Sequence, residues 1–124
     1  MQMTEIFKDV FVGNQEDFED RVKGNEGWSV VHACKEPYHR IAVGYKGRAC
    51  SKDNPEYLIA KRGDELMLNL IDTENPEWVS PLIIDEAMEF IGSALKNNKK
   101  VLVHCNQGQS RSAVIGLLFY TTGE

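Results

Sequence analysis

The sequence predicts a single α/β domain: a central sheet of four or five strands, mostly parallel, flanked by helices. Three observations carry that prediction. Short apolar runs alternate along the chain with segments of helical periodicity, the pattern of a sheet covered by helices. The 124 residues suit one hydrophobic core. No internal repeat, low-complexity tract or linker interrupts them, so one domain is expected over 1–124.

The elements follow in order. Ile6 to Val12 carries Ile, Phe, Val and Phe and is stopped by Gly13-Asn14, which reads as a strand. Asn14 to Lys23 is polar apart from Phe18 and Val22 at i, i+4, a short helix. Trp28 to Ala33 is a compact apolar run, a buried strand. Between Lys35 and Gly63 the pattern is weak; Arg40–Tyr45 and Tyr57–Lys61 are candidates for a hairpin. Glu65 to Ile71 alternates through Leu66, Leu68 and Leu70, a strand running into Asp72. Ser80-Pro81 supplies an N-cap and a first helical position. The helix that follows carries Ile83, Ala87, Phe90 and Ala94 beside Ile84, Met88, Ile91 and Leu95 on one face. Lys96, Lys99 and Lys100 suit the negative end of its dipole. Val101 to Val103 is a short buried strand, and Ser110 to Tyr120 a final, largely apolar helix.

Composition excludes several classes. Charged residues at 27% and hydrophobic residues at 42% match a soluble globular chain. No apolar run approaches the roughly 20 residues that span a bilayer, and the first residues, Met1 to Glu5, lack the basic start and apolar core of a secretory signal. A net charge of −5 disfavours a general nucleic-acid or anionic-membrane binder. Cys34, Cys50 and Cys105 are scattered and odd in number, with no Cys-x-x-Cys pair, so no structural metal site is expected. A cytoplasmic protein with reduced thiols is the expectation. From Lys35 to Arg62 seven basic residues face three acids, a local +4 that leaves −9 for the remainder. Two readings are open there: a solvated surface segment, or a basic lip that recruits an anionic substrate.

The chemistry concentrates in one stretch, Val101-Leu-Val-His104-Cys105-Asn106-Gln107-Gly108-Gln109-Ser110-Arg111-Ser112. A buried strand ends at a cysteine, a polar glycine-containing loop follows, and a helix begins near Ser110-Arg111. Such a loop aims successive backbone N–H groups into one concavity beside the positive end of a helix, an anion cradle. At its base Cys105 would be held as a thiolate by those N–H groups, the helix terminus and Arg111. The Arg111 guanidinium offers a planar fork for two phosphate oxygens. A nucleophile beneath an oxyanion site sized for a phosphoryl group is the reading.

His104-Cys105, five residues, then Arg111-Ser112 resembles the signature of the cysteine-dependent protein tyrosine phosphatases, and the chain is most similar to their dual-specificity branch. Phe11-Val12-Gly13-Asn14 resembles the Tyr-Leu-Gly-Asn strand end of those domains, and Leu68-Asn69-Leu70-Ile71-Asp72 the strand into their general-acid loop. The helix 81–96 matches the one before the signature strand, and the 35–64 region is the least matched. Related domains continue with one or two further helices beyond the signature, whereas this sequence ends 13 residues after Arg111.

The resemblance implies roles. Cys105 attacks phosphorus to form a phosphocysteine intermediate, and Arg111 with the amides of Asn106, Gln107, Gly108, Gln109 and Ser110 binds the equatorial oxygens. Ser112 hydrogen-bonds the sulfur, and His104 orders the loop and tunes Cys105. No metal or other cofactor is implied. Asp72 is the expected general acid, protonating the leaving oxygen and then activating water; its reference pKa of about 3.9 would have to be held up. Glu74 stays open as the acid, while Asp85 lies within the helix. Cys34 has two readings, a buried structural thiol or a redox partner that forms a reversible disulfide with Cys105. Trp28 and Trp78 read as packing residues. The expected function is hydrolysis of a phosphomonoester, phosphotyrosine and also phosphoserine or phosphothreonine, in a phosphorylated protein substrate. The alternatives are a catalytically silent phospho-binding module, or the same chemistry on an RNA 5′-phosphate or a phosphoinositide. The neutral loop 106–109 disfavours the last, and the basic 35–62 segment keeps it open.

Overall fold

A computed structural model describes residues 4–47, 50–69 and 81–105. Six strands form one sheet in the order β1-β2-β6-β3-β5-β4. The inner four, β2 (Val10–Gly13), β6 (Lys100–His104), β3 (Trp28–His32) and β5 (Glu65–Leu68), are parallel neighbours. The outer two, β1 (Thr4–Phe7) and β4 (Ile59–Arg62), add antiparallel edges. The single α/β domain is as expected, and its sheet is wider than four or five strands.

The extra width has local causes. The run Ile6–Val12 is two strands and not one: it folds back at Lys8-Asp9, so that Phe7 pairs with Val10 and Thr4 with Val12. Asp9 takes a left-handed φ of 68°, a conformation aspartate tolerates in turns, and its N–H donates to the Glu5 carboxylate at 2.8 Å. Farther along, Arg40–Tyr45 is not a strand. Lys35–His39 forms a wide turn, with Glu36 extended (φ −106°, ψ 134°), leading into α2 (Arg40–Val43), and Gly44 (φ 91°) ends it, its N–H bonding Arg40 O at 2.7 Å. The Glu36 carboxylate grips the Arg40 guanidinium with contacts of 2.7–3.0 Å, tying the turn to the start of α2. The hairpin forms one step later, β4 turning through Gly63 (φ 59°) and Asp64 into β5.

Two layers of helix cover the sheet. Asn14 caps α1 (Gln15–Asp17) in a reciprocal box: its side-chain oxygen accepts the Asp17 N–H, and its own N–H donates to the Asp17 carboxylate, both at 2.9 Å. The chain continues into one wide turn, Phe18–Val22, closed by the Lys23 N–H on Phe18 O at 2.8 Å. Phe18 and Val22 are buried there against Val30 and Leu102. The opposite face receives α3 (Pro81–Lys96), whose Ile83, Ala87, Ile91 and Ala94 pack on Val10, Val31, Leu66, Leu68, Val101 and Val103. Strand alternation thus sends Val101 and Val103 to α3 and Leu102 to the α1 side. Lys99, just past α3, reaches the Asp64 carboxylate at 2.7 Å and Glu26 O at 3.3 Å, tying the helix end to the two turns at the amino end of the sheet.

Strand β5 covers Glu65–Leu68, shorter than the expected run to Ile71; Asn69 then bonds Leu58 O and Tyr57 O. The expected Ser80 cap, the residues around Asp72 and the helix 110–120 lie outside the described residues.

Candidate active site

The parallel strands β2, β6, β3 and β5 end at the same edge of the sheet. Their connections diverge: β2 passes to β3 through α1 on one face, and β5 passes to β6 through α3 on the other. Opposed crossovers of this kind open a crevice beyond the carboxyl ends where the strand order switches, the usual ligand position in an open α/β sheet. β6 lies at that point and delivers His104 and Cys105 into it. Gly13 and His32 stand in register with His104 on either side, and the Ala33 N–H donates to His104 O at 2.8 Å. The backbone is therefore pinned from both neighbouring strands at the residue before Cys105.

A polar chain runs under Cys105. His104 Nδ1 lies 3.2 Å from the Cys105 carbonyl, His104 Nε2 lies 2.7 Å from His32 Nδ1, and His32 Nε2 lies 2.7 Å from Glu65 Oε1. Both histidines are fully buried, and Glu65 is about half exposed, at 47%. Burial, aided by the neighbouring His32, pulls the His104 pKa down to about 3 from 6.5, so the ring is neutral. The hydrogen bond from His32 holds the Glu65 carboxyl below its ordinary value. Aromatic rings frame the pair: Phe18 stacks on His104 (5.4 Å, 4°) and Tyr38 on His32 (4.3 Å, 19°). The Tyr38 hydroxyl donates to Glu19 at 2.6 Å. Burial and that contact push its pKa far above the phenol range, while the same bond holds Glu19 below the carboxylate range.

Cys105 is 2% exposed and Cys34 is fully buried. The bond from Ala33 to His104 sets Cys34 and Cys105 one residue beyond it on adjoining segments of the chain, and both are thiols. Asp72, Asn106, Gln107, Gly108, Gln109, Ser110, Arg111 and Ser112 lie outside the described residues, as do Glu74 and Trp78. Trp28 packs against Phe11 at 5.2 Å, as expected. His32, Glu65 and Tyr38 escaped sequence reasoning. The available signal was a histidine, His32, inside the apolar run Trp28–Ala33.

Two residues of the basic segment are charge-paired: Arg40 is held by Glu36 and Arg62 by Glu56, each at 2.7 Å, while Lys61 lies over the Phe90 ring at 5.8 Å. Among the described residues no group of three His, Cys, Asp or Glu is arranged to hold a metal, and no helix is long and apolar enough to cross a membrane.

Comparison with known proteins follows the same lines. The sequence profile of the dual specificity phosphatase catalytic domain matches residues 47–122. Among solved structures, that of the human tyrosine phosphatase-like serine/threonine/tyrosine-interacting protein is similar, with a TM-score of 0.60 and 25% identity over 98% of this chain and 75% of the other. No curated protein matches.

Proposed function

Since the chain belongs to the dual-specificity phosphatase family, we propose that it hydrolyses phosphomonoesters of tyrosine, and of serine or threonine, in phosphorylated proteins, through a phosphocysteine intermediate. One observation carries the reading: Cys105 follows directly on the central strand β6, at the switch point of the sheet, inside the segment matched to the catalytic domain. In the first step the Cys105 thiolate forms an S–P bond as the ester P–O bond breaks. Asp72 gives its proton to the leaving oxygen. In the second step water attacks phosphorus, the Asp72 carboxylate takes a water proton, and the S–P bond breaks to release phosphate. Arg111 and the amides of residues 106–110 stabilise the equatorial oxygens in both steps, and Ser112 supports the departing sulfur. His104 orders the loop.

Hydrolysis of an aryl phosphate, compared between wild type and Cys105→Ser, tests the reading. Turnover that persists in the presence of a chelator and vanishes in Cys105→Ser supports it. Turnover that survives in Cys105→Ser overturns it. A second reading, a phospho-binding module without turnover, draws on the similar human structure, whose protein is described as phosphatase-like and as interacting; phosphopeptide binding by a folded wild type that lacks turnover would support that one. For Cys34, mass spectrometry after mild peroxide separates its two readings: a Cys34–Cys105 crosslink marks a redox partner, and its absence a structural thiol.

A further inference from the structure

The buried chain beneath Cys105 fixes proton positions as well as distances. The Cys105 carbonyl can only accept, so His104 Nδ1 carries a hydrogen. A neutral His104 then has a lone pair at Nε2, which must accept from His32 Nδ1–H. The other His32 nitrogen faces a carboxylate oxygen of Glu65, another acceptor. With Nδ1–H on His104 and Nε2–H on the Glu65 side, His32 is a donor from both nitrogens. The opposite tautomer of His104 would instead aim the Nδ1 lone pair at the Cys105 carbonyl oxygen, 3.2 Å away. Stacking by Phe18 and Tyr38 keeps both rings from turning away.

We propose that Glu65 and His32 form a positioning relay that locks the His104 tautomer and, through it, the backbone at Cys105. Neither touches substrate. Their effect is to hold the chain at the end of β6, so that the Cys105 sulfur keeps one place. For its chemical meaning the inference rests on the phosphatase reading; the tautomer lock itself does not. The titratable groups facing the pair are Glu65 from β5, Tyr38 and Glu19 from the two wide turns, and Cys34 and Cys105 at the strand ends. The relay has its solvent-accessible end at Glu65 and its buried end at Cys105.

Ring-nitrogen NMR and alkylation of Cys105 by iodoacetamide across pH test the inference without needing turnover. In wild type, His104 should be neutral with the proton on Nδ1, and His32 protonated at both nitrogens. His32→Phe keeps a ring between Phe18 and Tyr38 but removes both donors. It should give mixed His104 tautomers and raise the alkylation midpoint of Cys105 by about one pH unit. Aryl-phosphate kcat should fall on the order of tenfold to a hundredfold with KM little changed. Glu65→Gln, whose amide still bonds His32, should keep the wild-type tautomer and midpoint, whereas Glu65→Ala should resemble His32→Phe. An unchanged His104 tautomer and alkylation midpoint in both His32→Phe and Glu65→Ala overturns the relay. If His32→Phe does not fold, Glu65→Ala at its half-exposed site decides alone. A wild type with no turnover but with the stated ring protonation and variant shifts overturns the hydrolase reading and leaves the relay standing.

Discussion

His104 and His32 meet at 2.7 Å in the interior of the sheet, and burial keeps His104 neutral. The neutral member sets a pH dependence of stability. The His104 pKa lies near 3 in the folded chain against 6.5 for the ordinary side chain, so as pH falls the unfolded chain takes up the proton first. The stability that neutral His104 supplies is full above about 6.5 and declines from there toward 3, at about 1.4 kcal/mol per pH unit for one proton. Urea titrations of wild type and His104→Asn between about pH 4.5 and 7.5 should differ in slope against pH, the variant being flatter. Equal slopes would refute this assignment.

Asp72→Asn isolates the general acid of the proposed mechanism. With the carboxyl gone, the decline of aryl-phosphate kcat at high pH should flatten and the maximal rate fall on the order of a hundredfold. If the profile is unchanged and Glu74→Gln flattens it instead, the acid is Glu74.

Asn14→Ala removes the side-chain half of the capping box over α1, where Asn14 and Asp17 satisfy each other's backbone N–H groups. A loss of about 1 kcal/mol is expected, read as a lower urea midpoint at unchanged m, with Asn14→Asp recovering most of it. A neutral result for Asn14→Ala would show that the box contributes nothing at this helix start.

Ile91→Ala probes the core beneath α3. Ile91 is fully buried between the helix and the sheet, so truncation leaves a cavity and should cost about 2–5 kcal/mol. Chemical denaturation checks it, and a cost under about 1 kcal/mol would mean that the helix settles onto the sheet to fill the space.

What was legible in the sequence is what local pattern encodes. The strand into Cys105 and the helix from Pro81 to Lys96 are contiguous segments whose periodicity names their buried faces. The run Ile6–Val12 reads as one strand because its apolar residues continue across a two-residue turn marked by Lys8-Asp9. The segment at Arg40 reads as strand-like through Ile41 and Val43, yet it forms a short helix with Ile41 72% exposed. His32 was hidden for another reason. Its meaning depends on register with His104, 72 positions away, and a pairing between distant strands leaves no mark in either segment alone. The anion loop and Asp72 were read from motif and chemistry, and they lie outside the described residues.

The outer edge of β4 has a consequence beyond the site. Among the described residues that strand pairs only with β5, and its other side is an edge of the kind another polypeptide strand could extend. Lys61 and Arg62 sit exposed on it, and Arg62 is clamped by Glu56 with a further bond to Ala42 O. A foreign strand docking there would have to strip water from two cations and break that clamp. Charges at such an edge oppose strand-on-strand association, and neutralising both of them should show as aggregation on heating.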